Sequence, residues 1–276
     1  MIKQSRLPIS HICNNETISR AAYYRFDNTV SSENVKPLIQ KIALEFPFYR
    51  YRRITKELQN RGEKINHKKV LKIMLSENLL CRRKKAFKPV TTQSNHNFEV
   101  YPNLIENIQV TGLNQIWVSD ITYIHLMKSF VYLAVIIDLF SRKCIGWHLS
   151  NDIDTYLSLN ALDMAIAARQ QLGFDSLIHH SDRGVQYASN DYIQKLEEFG
   201  IKISMSRSGN PYDNAFAESF MKTLKVEEVY MNEYETFEDA LKNIQRFIEE
   251  VYNEKRLHSG IGYMSPNKFE REVLNI

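Results

Sequence analysis

Gln115-Ile116-Trp117-Val118-Ser119-Asp120-Ile121-Thr122-Tyr123-Ile124 is a run of β-branched and aromatic residues with one carboxylate in its middle. Such a run favours a strand, and the two-residue period places Asp120 on the same face as Ile116, Val118 and Ile124. Asp is depleted in strands, and a carboxylate on a core-facing side is costly unless its charge is compensated. Backbone amides at a strand end are the ordinary compensation. A bound cation is the compensation that also does chemistry. Which applies depends on what the rest of the chain supplies.

Working outward, two more strand candidates follow at 130 to 138 and 142 to 149. Phe130 to Ile137 is apolar throughout, as in a central strand covered on both faces. A helix at 155 to 171, a strand at 177 to 181, a helix at 190 to 199, a strand at 201 to 205 and a helix from Asp213 to Val229 complete an α/β order. Asp182 closes the apolar run Leu177 to Ser181 ahead of Gly184, and ligand-binding residues of open α/β sheets collect at such strand ends. On the last helix Phe216, Phe220 and Leu224 recur at i, i+4 and i+8 and predict the buried stripe. Glu218, Lys222 and Lys225 fall on the opposite side, and Glu218 and Lys225 lie within about 20° of each other, two turns apart. Asp138 ends its strand just before Ser141-Arg142 and is assigned to turn chemistry.

Thirty-five residues separate Asp182 from Glu218, and with Asp120 they make a D,D(35)E spacing. Three carboxylates from distant segments can hold two divalent cations, which stabilise both the attacking and the leaving oxygen of an in-line displacement at phosphorus. Asp120, Asp182 and Glu218 are therefore the candidate catalytic residues and metal ligands.

The net charge of +4 hides an asymmetry. Between Arg50 and Lys88 stand 14 Lys and Arg against 3 Glu, a net +11, so the rest of the chain carries −7. A basic segment of that density is the footprint of a nucleic-acid partner. It reads as helical. A helix near Pro37 to Phe46 precedes Tyr51 to Asn60, which carries Ile54 and Leu58, and Gly62 breaks the pattern. Asn66 then caps a helix carrying Val70, Ile73 and Met74. This predicts a helix-turn-helix module at 37 to 88. Candidate DNA contacts are Arg50, Arg52, Arg53, then His67, Lys68, Lys69 and Lys72 early in the recognition helix, and Arg82, Arg83, Lys84 and Lys85 beyond it. A linker is expected at 89 to 110, a short N-terminal helical element at 1 to 36, and a C-terminal helical extension at 231 to 276. The acidic run Glu227 to Asp239 is expected to be a solvated or subunit-contacting surface, because like charge repels phosphate.

Cys13, Cys81 and Cys144 show no metal-ligand spacing and are odd in number, so neither a disulfide scaffold nor a zinc module is indicated. No apolar run approaches the roughly 20 residues of a membrane span, and a cytoplasmic protein without membrane anchoring is expected. A nucleotide-binding glycine loop ending in Gly-Lys-Ser or Gly-Lys-Thr is absent from the sequence.

His180-Ser-Asp-Arg-Gly-Val-Gln-Tyr-Ala-Ser189 and the stretch Ser204 to Phe220, with its Gly209-Asn-Pro-Tyr-Asp-Asn-Ala-Phe-Ala-Glu218, resemble the OrfB-type transposases of the insertion-sequence three family. The likeness takes in Gln115 to Tyr123, Leu224 to Glu227 and Tyr252-Asn-Glu-Lys-Arg-Leu-His-Ser-Gly-Ile-Gly-Tyr-Met-Ser-Pro266, covering most of the chain from about residue 44. Leu257 stands where the family usually has Pro and Gly260 where it usually has Ala, departures that touch no carboxylate of the triad. The resemblance implies an RNase H-like integrase catalytic core at 111 to 230, two Mg²⁺ or Mn²⁺ ions at Asp120, Asp182 and Glu218, and Lys225 as a basic residue seven after the glutamate. It implies a transposase that cuts and joins double-stranded DNA at its element's terminal inverted repeats and at a target. A homo-oligomeric synaptic complex is implied, with the OrfA product of an upstream reading frame as a candidate partner. Arg183, Lys222, Arg256 and His258 join the candidate DNA contacts. The competing readings are an RNase H-like nuclease without joining activity and a catalytically silent DNA-binding regulator.

Overall fold

The computed structural model of the chain describes residues 35–80, 98–207 and 214–275, together with Cys13 and Ser19. Almost all of the expected N-terminal element at 1 to 36, and the basic run Arg82 to Lys85, lie outside the described residues. The chain divides into two compact units, Met1–Arg83 and Lys84–Ile276.

The described part of the first unit is three helices: α1 (Lys36–Glu45), α2 (Tyr51–Asn60) and α3 (His67–Ser76). Pro37 sits in the first turn of α1, where its missing N–H costs nothing. Gly62 ends α2 at a backbone φ of +92°, which only glycine adopts easily. The Asn66 side chain then accepts the Lys68 N–H at 2.9 Å, the cap expected from sequence. Ile39, Ile42, Ile54, Leu58, Val70 and Met74 are all fully buried, so the three helices share one small core. The polar faces of α2 and α3 carry the Lys and Arg.

The second unit is built on a five-stranded sheet: β1 (Ile116–His125), β2 (Phe130–Asp138), β3 (Cys144–Ser150), β4 (Ile178–Ser181) and β5 (Lys202–Met205). The order is β3-β2-β1-β4-β5. The first three strands form an antiparallel meander, and β4 and β5 pair parallel to β1. Helices α4 (Thr155–Arg169) and α5 (Asn190–Glu198) cover one face, where Trp117, Ala134, Ile136 and Ile145 meet Leu157, Ala161 and Leu196. Helix α6 (Ala215–Glu227) covers the other, against Ile116, Val118, Ile124 and Val135. Burying both faces of β2 explains its uninterrupted apolar run.

Two local expectations change. The buried stripe of α6 is Ala217, Phe220, Met221 and Leu224, an i, i+3, i+4, i+7 pattern, whereas Phe216 is 45% exposed under the Arg142 guanidinium. The acidic run also turns partly inward. Glu228 is 5% exposed and accepts hydrogen bonds from Asn232 Nδ2 at 2.7 Å and Tyr234 Oη at 3.2 Å.

Beyond α6, helix α7 (Phe237–Arg246) runs into a π-helical segment, Phe247–Asn253, and α8 (Pro266–Leu274) follows. Ala240, Ile244, Phe247, Ile248 and Tyr252 belong to the same apolar cluster as β1 and α6, so the C-terminal helices complete the core of this unit. Among the described residues, no helix is long and apolar enough to cross a membrane.

Candidate active site

Register brings the first two carboxylates together. In the parallel pair β1 and β4, Val118 is opposite His180. Two residues further on, in the same pleat phase, come Asp120 and Asp182, just where β4 ends and the strands part. Asp182 Oδ1 accepts the Gly184 N–H at 2.9 Å. A side chain at residue 184 would place a Cβ 3.0 Å from that oxygen, so the turn holding Asp182 suits glycine.

Asn214, which no local pattern in the sequence marks out, brings up the third. Its side chain Nδ2 donates to the carbonyl of Ser119 at 3.0 Å, one residue before Asp120. Its own carbonyl accepts the Glu218 N–H at 3.1 Å, the first helical bond of α6. One buried amide thus ties the strand of Asp120 to the helix of Glu218. Below it Ala217, Phe220, Met221 and Leu224 seat the helix, leaving Glu218 exposed on the open side.

Asp120 responds to this company. Burial first, then the charges of Asp182 and Glu218, push its carboxyl up to about 8, against the opposing Ile121 N–H bond and Lys225 charge. The two neighbours are therefore close enough to make the Asp120 anion costly. Among the described residues, no three His, Cys, Asp or Glu side chains enclose a single metal position. The triad is an open set of carboxylates, a hard, oxygen-only donor set of the kind Mg²⁺ and Mn²⁺ prefer. Cationic charge at this place would relieve the repulsion that raises Asp120.

Around the triad the strand ends are tightly pinned. His180 is fully buried, its Nδ1 2.8 Å from Ser204 Oγ and its Nε2 3.0 Å from Ser206 Oγ, linking β4 to β5 two residues before Asp182. His179 points to the other side, with Nε2 3.0 Å from Tyr192 Oη, and burial, followed by the neighbouring His180, pushes it down to about 3. Arg183 Nε donates to Ser206 carbonyl at 2.8 Å, closing the same loop.

Lys225 is partly buried, with Nζ 4.4 Å from the centre of the Tyr123 ring. Burial lowers its pKa and the Asp120 charge raises it, so the ammonium shares the space of the triad. Lys222, one turn from Glu218, is exposed. Asp138, the decoy, is satisfied by its turn: Oδ1 accepts from the N–H groups of Phe140 at 2.9 Å and Ser141 at 3.2 Å, and Oδ2 from Asn114 N–H at 2.9 Å.

In the first unit Arg50, Arg52, His67, Lys68 and Lys72 are exposed, and Arg53 and Lys69 are partly so. The Arg53 guanidinium lies 5.7 Å from the Tyr49 ring centre, and the His67 and Tyr51 rings are 6.0 Å apart. Arg256 and His258 are a correction. Arg256 is 4% exposed and grips Glu227 through two hydrogen bonds of 2.8 and 2.7 Å. His258 is 9% exposed, its ring edge-on to Tyr252 at 4.6 Å. A guanidinium this buried, its charge already matched by a carboxylate, is closed to a phosphate backbone, and both residues pack in the C-terminal turn instead.

A mixed sheet carrying one Asp in the middle of β1 and a second just past the end of β4, where the two strands part, with a Glu on a flanking helix, fits the DDE class of polynucleotidyl transferases. Family models agree: residues 111–211 and 199–266 match integrase core domains and 31–87 an HTH-like domain. The chain is 36% identical over 263 residues to the insertion element IS600 uncharacterized 31 kDa protein of Shigella sonnei, covering 92% of this chain and 96% of that one. It is 38% identical over 223 residues to the transposase InsF for insertion sequence IS3fB of Escherichia coli strain K12, covering 80% and 76%. A chain of the simian T-cell lymphotropic virus intasome in complex with PP2A regulatory subunit B56 gamma is similar at a TM-score of 0.48 and 17% identity, over 78% of this chain and 69% of that one. The chain belongs to the insertion-sequence three (IS3) family of transposases.

Proposed function

We propose that this transposase binds the terminal inverted repeats of its own element through the helix-turn-helix module at 37–88 and cuts and joins DNA in the core at 111–230. The observation that carries this reading is Asp120, partly buried in a strand beside two other carboxylates with one backbone N–H to offset its charge. Asp120, Asp182 and Glu218 would hold two Mg²⁺ or Mn²⁺ ions, which when bound supply Lewis-acid charge to the attacking and leaving oxygens of the phosphodiester. Lys225 holds the scissile phosphate beside Asp120, with Lys222 and Arg183 at the rim of the same opening. Asn214 and His180 fix the carboxylate-bearing strand ends so that the reacting groups keep their alignment.

Arg50, Arg52, Arg53, His67, Lys68, Lys69 and Lys72 supply phosphate and groove contacts in the module, with Arg82 to Lys85 continuing toward the linker at 89–110. Cleavage is hydrolysis, and joining is attack of a 3′-hydroxyl on a second phosphodiester. Direct exchange of one phosphodiester for another conserves bond energy and needs no nucleotide. One element end is joined beside the other to give a circular intermediate, within a homo-oligomeric complex that takes in the OrfA product, in the bacterial cytoplasm.

Asp120→Asn, Asp182→Asn and Glu218→Gln test the reading in strand-cleavage and strand-transfer assays on end-containing DNA. Each should abolish both steps in Mg²⁺ and leave end binding by gel shift nearly intact. Robust strand transfer by any one of them would overturn the triad. Hydrolysis without joining by the native chain would favour the nuclease reading, and binding without either step the silent regulator.

A further inference from the structure

The β1–β2 hairpin carries more aromatic surface than folding requires. Tyr123 and His125 share a strand face, and His125 stands directly opposite Phe130. The Phe130 ring meets His125 edge-on at 4.9 Å and Tyr123 at 5.7 Å, yet Phe130 is 48% exposed and His125 is exposed. Lys128 is exposed in the turn. Lys225, whose ammonium lies over Tyr123 and interacts with Asp120, joins this strip to the triad. The support is rigid: Leu126 pairs with Tyr234 in a bridge, and Met127 N–H donates to Tyr234 carbonyl at 3.0 Å. Pairing of β1 with β4 stops at Val118, so among the described residues no strand covers that edge of β1 beside the triad.

Two exposed rings and a half-buried one on a stiff hairpin, flanked by Lys128 and by Lys225, whose ammonium also interacts with Asp120, fit a partner with flat π faces and a phosphate backbone. We infer that Tyr123, His125 and Phe130 form a stacking platform for unpaired nucleotides next to the scissile phosphate, so that the enzyme frays the element end as it engages it. This rests on the transposase reading above and specifies the form of its DNA substrate. Each stacked base would offset part of the cost of opening the terminal pairs.

The test uses the full chain, Phe130→Leu and Phe130→Ala, and two element-end duplexes that differ only in whether the nucleotides flanking the cut are paired or pre-frayed by mismatch. Loss of the platform should slow cleavage of the paired end about tenfold, within the range that base–aromatic stacking supplies. The pre-frayed end should be slowed much less, so the frayed-to-paired rate ratio rises in both variants. A merely structural defect slows both ends alike and leaves the ratio unchanged, which would overturn the platform. 2-Aminopurine at the flanking position, with Ca²⁺ holding the complex uncleaved, should be quenched by the native chain and regain fluorescence with Phe130→Ala. Equal quenching by the two proteins would also overturn it. Failure of the native chain to cut either duplex would instead remove the transposase reading.

Discussion

Asp120 and Asp138 sit on neighbouring strands of one sheet and meet opposite treatment. Asp138, with 0% exposure, has three backbone N–H groups on its oxygens and Arg169 at 3.8 Å, and Arg169 is in turn held by Glu270. Asp120 has one N–H, from Ile121 at 3.0 Å, and two carboxylates for neighbours. A carboxylate whose lone pairs are filled by the fold is part of the fold. One left open among like charges is a candidate functional group.

Removing each carboxylate is the most direct way to break that contrast. Asp138→Ala strands three backbone amides and removes the charge beside Arg169, which stays bonded to Glu270, and should cost about 3–5 kcal/mol. In a unit of this size that lowers Tm by roughly 6–20 °C. A melting curve within 2 °C of the native protein would show that Asp138 is not the structural member of the pair.

Asn214 tests whether the open site is nevertheless built to close tolerances. Asn214→Ala cuts the bond to Ser119 carbonyl, and a small displacement of reacting groups costs about 100-fold in rate. Cleavage should fall by that order while end binding and Tm change little. Asn214→Asp should fail as badly, because the Nδ2 donor is what it loses. A native turnover rate in Asn214→Asp would mean that the link between strand and helix is incidental.

How much of this contrast was legible in the sequence follows from the range of the interactions. The strands, the Asn66 cap and the turn role of Asp138 depend on neighbours a few residues away, and the period and turn residues reveal them. The bond from Asn214 to Ser119 spans 95 residues, and nothing local announces it. Arg256 and His258 stand among the candidate DNA contacts because a sequence shows the type of a side chain and not its partner, here Glu227 for Arg256 and the Tyr252 ring for His258. Phe216 fits an i, i+4, i+8 spacing with Phe220 and Leu224, yet the smaller Ala217 occupies the position that faces the sheet. The cross-strand ring contacts of Phe130 need a register that the sequence does not print.

A smaller effect of opposite sign should come from Asp120→Asn. Between the ordinary Asp value of 3.8 and about 8, the folded protein keeps a proton on Asp120 that the unfolded chain has released. Without metal, this group therefore lowers stability as pH rises through that window. Asp120→Asn removes the penalty and should stabilise the metal-free protein at pH 8 by about 1–2 kcal/mol, after allowing for screening at the open side. The gain should shrink toward pH 4. Mg²⁺ should raise the Tm of the native protein more at pH 8 than at pH 6, because its ligand must lose a proton to bind, and should do far less for the variant. An Asp120→Asn protein less stable than native at pH 8 without metal would place Asp120 with Asp138.

The finest test compares two lysines on α6. Lys222 is exposed, and Lys225, two turns beyond Glu218, is partly buried against Tyr123 within the field of Asp120. If the open site is shaped for a phosphate, the lysine inside it positions substrate and the one outside mainly adds charge. Lys225→Ala should lower strand transfer about tenfold at subsaturating DNA, the equivalent of about 1.4 kcal/mol of transition-state binding. Lys222→Ala should stay within about twofold, as surface substitutions do. Lys225→Arg should recover much of the rate, because the cation and its place over the Tyr123 ring are both kept. The salt dependence separates positioning from bulk attraction. Each lost phosphate contact flattens the slope of log K against log salt by about 0.9, so a Lys225→Ala defect in rate that persists at saturating DNA cannot be weaker binding. Equal rates for the two alanine variants would mean that the opening beside Asp120 is not shaped around a phosphate.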